Sequence, residues 1–163
     1  PYMCLDSGYA YQHDHQTYDV YKAQIETELA RPPQAAISGQ WQCTAGVCQF
    51  QVQVTNQSGV TLSSSNRARV FAIVYENEPP VADQHVTSWV IRDIISTTVS
   101  TLANGATAPF NLQTGTLTNV TNWNNVRAVV FAEYYRTDTH AYNMLQALML
   151  YAPSRIALPL LMK

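Results

Sequence analysis

The strongest constraint on this chain is a change of hydrophobic rhythm at Pro32-Pro33. Before the double proline, Tyr18, Tyr21, Ile25 and Leu29 recur at i, i+3, i+7 and i+11, which lines them along one face of a helix. The spacing predicts a helix over 17–30. Thr17 can cap it, and Asp19 favours the positive end of its dipole. Pro32-Pro33 stops it, because the residue before a proline is pushed out of the helical region. After Pro33 the period becomes two. Alternation predicts strands over 35–43, 48–56, 68–76, 86–95, 98–102, 108–112, 126–134 and 142–151. Turn signals fall between them, among them Asn56-Gln57-Ser58-Gly59, Glu78-Pro79-Pro80, Asn104-Gly105 and Arg136-Thr137-Asp138. Strands at this spacing with no intervening helices predict a mainly β fold: an immunoglobulin-like antiparallel β-sandwich preceded by a short strand–helix segment. The expected layout is a strand–helix segment over 1–32, a sandwich over 33–152 and a tail over 153–163. The stretches 69–75 and 126–134 are apolar on both faces and are expected at sheet centres. The strand with Gln49, Gln51 and Gln53 has one apolar and one amide face, so its outer face is expected to be wet.

With 163 residues the chain can form one domain with a real core and a small appendage. Charged residues make up 12%, about half the roughly 25% of an average globular protein. Ser, Thr, Asn and Gln must therefore supply the polar surface, a balance that suits an extracellular β-protein. Net charge is −2, with no basic patch, so nucleic acid is not an expected partner. No apolar run approaches the ~20 residues of a membrane-spanning helix. The chain starts on Pro1 without an initiator Met or a signal peptide, which reads as a mature or trimmed product, or as a fragment of something longer.

Three cysteines are present. Cys43 and Cys48 bracket Thr44-Ala45-Gly46-Val47, which reads as a four-residue hairpin loop. The flanking alternation puts Ile37, Gly39, Trp41 and Cys43 on one face and Cys48, Phe50, Val52 and Val54 on the matching face. Two cysteines at one end of a hairpin, pointing the same way, predict a structural disulfide and an oxidising compartment. Cys4 is left over, as a buried thiol or half of a bond to a segment beyond this sequence.

Pro1-Tyr2-Met3-Cys4-Leu5-Asp6-Ser7-Gly8 resembles the cis-proline of a thioredoxin fold followed by its next strand and a glycine turn. The predicted helix over 17–30 is similar to the last thioredoxin helix. The stretches 70–76, 90–93, 129–133 and 144–147 are similar in order to a β-sandwich that follows this fold in Omp28-related secreted thioredoxin-like proteins. The end, Leu158-Pro159-Leu160, is similar to tails of secreted proteins from filamentous phototrophic bacteria. The resemblance implies the end of a thioredoxin fold plus a C-terminal β-sandwich. Any catalytic CxxC would then lie upstream of Pro1, and the sequence as it stands could not run disulfide exchange.

Residues that could carry chemistry are few. His13 and His15 share a face in an extended segment and could ligate Zn²⁺ or Cu²⁺ with Asp6, Asp14 or His85, against the plainer reading of an exposed polar loop. Glu76, Glu78, Asp83 and His85 form an acidic stretch without the ligand spacing of a Ca²⁺ loop. Arg92 lies in an apolar strand and needs a partner, with Glu76 or Glu133 as candidates. A glycosidase-like pair of Glu76 and Glu133 requires that the fold bring them together. No nucleophile elbow or glycine-rich phosphate loop is present. Asn56-Gln57-Ser58 and Asn119-Val120-Thr121 match the glycosylation sequon and are expected in exposed turns. Tyr9, Tyr11, Tyr18 and Tyr21 form an aromatic cluster suited to an interface, and Trp123 in a turn suits an exposed contact. Trp41 and Trp89 alternate with apolar partners and are expected in the core.

These features favour a non-catalytic extracellular or cell-envelope module that binds a protein partner or neighbouring domain, with no cofactor and no transmembrane segment. Such a module would act through the tyrosine-rich start and a sheet edge. The alternatives are the C-terminal part of a thioredoxin-like thiol–disulfide protein, or a glycan-binding domain that uses Trp123 and nearby amides.

Overall fold

The computed structural model describes residues 3–5, 10–12, 18–78 and 88–150. Two short strands, β1 (Met3–Leu5) and β2 (Ala10–Gln12), pair antiparallel and precede helix α1 (Tyr18–Ala30). After the double proline the elements are strands. They are β3 (Ala35–Thr44), β4 (Val47–Asn56), β5 (Leu62–Ser63), β6 (Arg69–Glu78), β7 (Ser88–Thr98), β8 (Thr101–Leu102), β9 (Thr107–Gln113), β10 (Val126–Arg136) and β11 (Ala141–Leu150). A short 3-10 turn, Trp123–Asn125, leads into β10.

One sheet has the order β11-β10-β6-β7 and the other β3-β4-β9, while β5 and β8 form a small ribbon. Lettered in chain order, the seven long strands read A-B-E in one sheet and G-F-C-D in the other. This is the immunoglobulin-type division, with the fourth strand beside C rather than E. Among the described residues all paired strands run antiparallel. The predicted fold class therefore stands, and most predicted strands lie within two or three residues of the observed ones. The expected strand over 98–102 does not form as a unit: β7 runs through Thr98, and only the two residues of β8 follow.

The two inner faces fit because their side chains differ in size. The three-stranded sheet contributes Trp41, Phe50, Val52, Val54 and Leu112. The central strands β6 and β10 of the four-stranded sheet contribute Val70, Ala72, Val74, Val126, Ala128, Val130 and Ala132, β11 adds Leu145 and Leu150, and all belong to one buried cluster. Trp41 and Phe50 stack with ring centroids 5.6 Å apart. Bulky groups on one sheet thus fill the space that alanines leave on the other, which is how an interior reaches crystal-like density. Removing the Phe50 ring would cost about 3–5 kcal/mol through lost transfer energy and the cavity left behind.

The linker is tied to the sandwich. Arg31 donates to Asn143 Oδ1 at 2.6 Å and to the Met144 carbonyl at 3.1 Å. The Gln34 amide donates to the Leu145 carbonyl at 3.0 Å. Asn143, fully buried, in turn donates to Gln34 Oε1. Asn56, expected in an exposed turn, is fully buried instead. Its side chain donates to the carbonyls of Val60 and Leu102 and accepts from the amide and hydroxyl of Ser58. A buried amide earns its place by satisfying backbone groups that a loop leaves open.

The predicted disulfide is present between Cys43 and Cys48, which sit directly opposite each other on the core side of the β3–β4 hairpin. The loop is shorter than four residues, because Thr44 and Val47 still pair. Only Ala45 and Gly46 turn the chain, with φ of 49° and 82°. Two successive positive φ values are the signature of a type I′ turn, whose twist matches the flanking strands. Glycine adopts this conformation freely, whereas alanine pays for it with a Cβ–carbonyl contact. Ala45→Asn should therefore raise stability by about 1 kcal/mol, read as a higher urea midpoint with an unchanged slope.

Candidate interaction surface on the four-stranded sheet

β6 and β10 occupy the centre of their sheet and are apolar on both faces, as expected. Alternation sends Val70, Ala72 and Val74 inward and Phe71, Ile73 and Tyr75 outward. On β10, Ala128, Val130 and Ala132 point inward, and Val129 and Phe131 outward. The small side chains thus face the core and the large ones face out. Register sets Phe71 opposite Phe131 and Ile73 opposite Val129. The two phenylalanine rings stack with centroids 4.8 Å apart. β11 extends the band with Ala147 and Met149 opposite Phe131 and Val129.

β7 extends it on the other side through a bulge. Val74 pairs with Asp93 and Tyr75 with Ile91, so Arg92 is the extra residue. The bulge places Ile91 and Ile94 on the same outer face although they are three residues apart. Trp89 packs on Tyr75 with ring centroids 5.1 Å apart. Trp89, Ile91, Ile94 and Met149 are 58%, 55%, 53% and 44% exposed. Trp89 is therefore a surface residue and not the core residue its alternation suggested, because it belongs to an edge strand whose outward row is itself apolar. Four strands at about 4.8 Å spacing and some six residues at about 3.4 Å give a footprint of roughly 400 Å². The largest apolar patch of an ordinary monomer is about 300–600 Å² and is often functional. Arg127 flanks one end. At the other end the Arg67 guanidinium lies 4.8 Å from the centre of the Tyr135 ring, which meets Tyr142 edge-on.

Both outer strands of this sheet are guarded. In β7, Asp93 Oδ1 accepts from the Ile94 amide at 2.8 Å, at the bulge. In β11, Gln146 Oε1 accepts from the Ala147 amide at 3.1 Å, beside a second bulge opposite Ala132 and Glu133. Bulges and side chains that occupy backbone amides discourage strand addition. The edges of this sheet are thereby blunted, and its outer face is the open feature.

Behind the face lies a buried anchor. The Glu76 side chain has no exposed surface and forms an ion pair with Arg92, as anticipated for that arginine. Glu76 Oε2 accepts from Arg92 at 2.7 and 3.0 Å and from the Thr121 amide at 3.0 Å. Oε1 accepts from the Thr121 hydroxyl and the Asn122 amide, both at 2.5 Å. Burial alone raises the Glu76 carboxyl, but these donors outweigh it and hold it at about 2, below the usual 4.5. Glu76 is thus committed to structure. It pairs with Val126 in the ladder where Glu133 pairs with Arg69. The two glutamates stand seven positions apart, about 23 Å by strand rise, too far for a glycosidase pair.

Other expected site residues are scattered. Tyr18 is 76% exposed, Tyr21 is half-buried, and Ile25 and Leu29 of the same stripe are exposed, so the helix stripe is not buried against the sandwich. Tyr11 lies in β2 opposite Cys4. Pro1, Asp6, Tyr9, His13, Asp14, His15, Asp83, His85 and the tail over 153–163 lie outside the described residues, and with them the proposed metal ligands. Among the described residues no group of three or more His, Cys, Asp or Glu is placed to hold a metal. Trp123 is 36% exposed and lies on the β9–β10 connection beside the Glu76 anchor, on neither sheet. Alternation alone missed the outer apolar band. The available signal was the size contrast along β6 and β10, with small side chains at even positions and large ones at odd positions.

No family model and no curated protein matches the chain. Among solved structures it is similar to Spo0M, a sporulation control protein from Bacillus subtilis, with a TM-score of 0.42 and 12% identity over 74% of this chain. The chain spans about half of that protein's length, 49%.

Because the Glu76 carboxyl is depressed in the folded state, its contribution to stability is present above about pH 4.5 and is lost as pH falls toward 2. The shift corresponds to something on the order of 3 kcal/mol. Glu76→Gln should cost about 3–5 kcal/mol at pH 7 by leaving Arg92 buried without its counter-charge. Urea unfolding should show that deficit shrinking at pH 3. An equal deficit at both pH values would mean that Glu76 is not ionised in the fold.

Proposed function

We propose that this chain is a non-catalytic extracellular or cell-envelope interaction module that docks on a protein partner or neighbouring domain through the outer face of its four-stranded sheet. The observation that carries this reading is the exposed row Trp89, Ile91, Ile94 and Met149 around the Phe71–Phe131 stack. A face exposed only to water would place polar residues at these outward positions. Here the largest apolar side chains of the sheet occupy them, and burying such groups drives association. The guarded edges favour face-to-face docking over strand addition. The Cys43–Cys48 disulfide is compatible with secretion, since such bonds persist in oxidising compartments. Among the described residues no helix is long and apolar enough to cross a membrane.

A second reading makes the chain the C-terminal part of a thioredoxin-like thiol–disulfide protein. The antiparallel pair β1–β2 followed directly by α1 favours it, since this is the element order expected at the end of that fold. A CxxC upstream in the reading frame would support this origin, and its absence there would remove it. The docking reading holds under either origin.

Photocrosslinking in the native host tests the docking face directly. A crosslinking residue at Ile94 should yield one protein adduct of discrete mass, and the same residue at Gln51 on the opposite face should capture no protein. Trp89→Ala should weaken the association by about 2 kcal/mol, roughly 30-fold. It should leave the unfolding free energy within about 0.5 kcal/mol, because the side chain is mostly exposed. No adduct at Ile94, or one that survives Trp89→Ala undiminished, refutes the assignment.

A further inference from the structure

The opposite face of the sandwich has a different chemistry. No residue of β3, β4 or β9 is Asp, Glu, Lys, Arg or His, whereas β6, β7 and β10 each carry charged residues. The register aligns two rows of amides across the outer face of the three-stranded sheet: Gln40–Gln51–Asn111 and Gln42–Gln49–Gln113. Within the rows, Gln40 Nε2 donates to Gln51 Oε1 at 2.7 Å and Gln49 Nε2 donates to Gln113 Oε1 at 3.3 Å. Each primary amide has two donor hydrogens and an acceptor oxygen with two lone pairs, so these pairs are pre-oriented and keep most of their donor and acceptor capacity for a ligand. Three shallow grooves of about 210, 310 and 450 Å³ run over these same residues.

We infer that this face binds a neutral polysaccharide chain. A sugar hydroxyl donates and accepts just as an amide does, so a row of amides can meet a row of hydroxyls without stranding either. An anionic or cationic ligand finds no counter-charge on these three strands, and an apolar protein surface would bury the amides without partners at a cost. The three grooves lie side by side and share Gln40, Gln49, Gln51 and Asn111 in their linings, which suits a polymer lying across the sheet. The rows contain no aromatic platform, so single contacts are weak and affinity must accumulate along the chain. This surface is independent of the docking face, and either can fail alone.

Affinity electrophoresis of the intact protein in gels containing soluble neutral β-glucan, xylan or polygalacturonate tests the inference. Retardation by a neutral polymer and none by the acidic one is expected. The triple variant Gln40→Ala/Gln51→Ala/Asn111→Ala should lose retardation at least tenfold with an unchanged melting temperature, while Trp89→Ala should migrate as wild type. The inference falls if neither neutral polymer retards the protein, if only the acidic one does, if the triple variant is retarded equally, or if a crosslinker at Gln51 captures a protein.

Discussion

A carboxylate with no solvent contact decides which way the centre of this molecule faces. Glu76 takes its hydrogen bonds from the bulge residue Arg92 on β7 and from Thr121 and Asn122 on the β9–β10 connection. An uncompensated buried charge is among the most costly defects a core can hold, so these partners hold Glu76 on the inner side. Because strand side chains alternate strictly, the inward position of Glu76 also turns Val70, Ala72 and Val74 inward and Phe71, Ile73 and Tyr75 outward. A one-residue slip of β6 would bury Phe71, Ile73 and Tyr75 where only valine and alanine now fit, and would expose the ion pair. One electrostatic anchor and one packing constraint therefore select the same register.

The outer apolar band follows from that choice. With Trp41, Phe50 and Leu112 of the facing sheet filling the middle of the core, the central strands β6 and β10 of the four-stranded sheet turn mainly valine and alanine inward, while Leu145 and Leu150 of β11 fill its margin. Its large groups are left for the other side. The same bulge that brings Arg92 to Glu76 also sets Ile91 and Ile94 side by side on the surface. Core packing, charge satisfaction and the proposed docking face are thus three consequences of one strand arrangement. The amide face of β3, β4 and β9 gives the sandwich two chemically opposite exteriors, one apolar and flanked by arginines, the other uncharged and hydrogen-bonding.

Much of this architecture was legible in the residues. The period change at Pro32-Pro33, the turn signals and the alternation from Ala35 onward located the helix and most of the strands, because backbone pairing needs only local pattern and short connections. The cysteine pair was legible for the same reason: one hairpin contains both partners. Arg92 could be read as needing a carboxylate, since its charge sat in an apolar run. Trp89 was misread, and Asn56 with it. Whether an apolar residue on an edge strand faces core or solvent depends on which side the facing sheet covers, and whether a turn asparagine is buried depends on β8, a strand distant in sequence.

The sequence by itself determined the class of structure: a short helix, then antiparallel strands tied by one disulfide, with few charges and one arginine that had to be paired. Those are local matters of period, turn chemistry and the cost of burying charge. Tertiary structure alone decided that Glu76 rather than Glu133 meets Arg92, that the two glutamates stand far apart, and that the largest apolar side chains of β6 and β10 face outward. Each depends on which strands become neighbours and which face a second sheet covers, and no window of the chain contains that information.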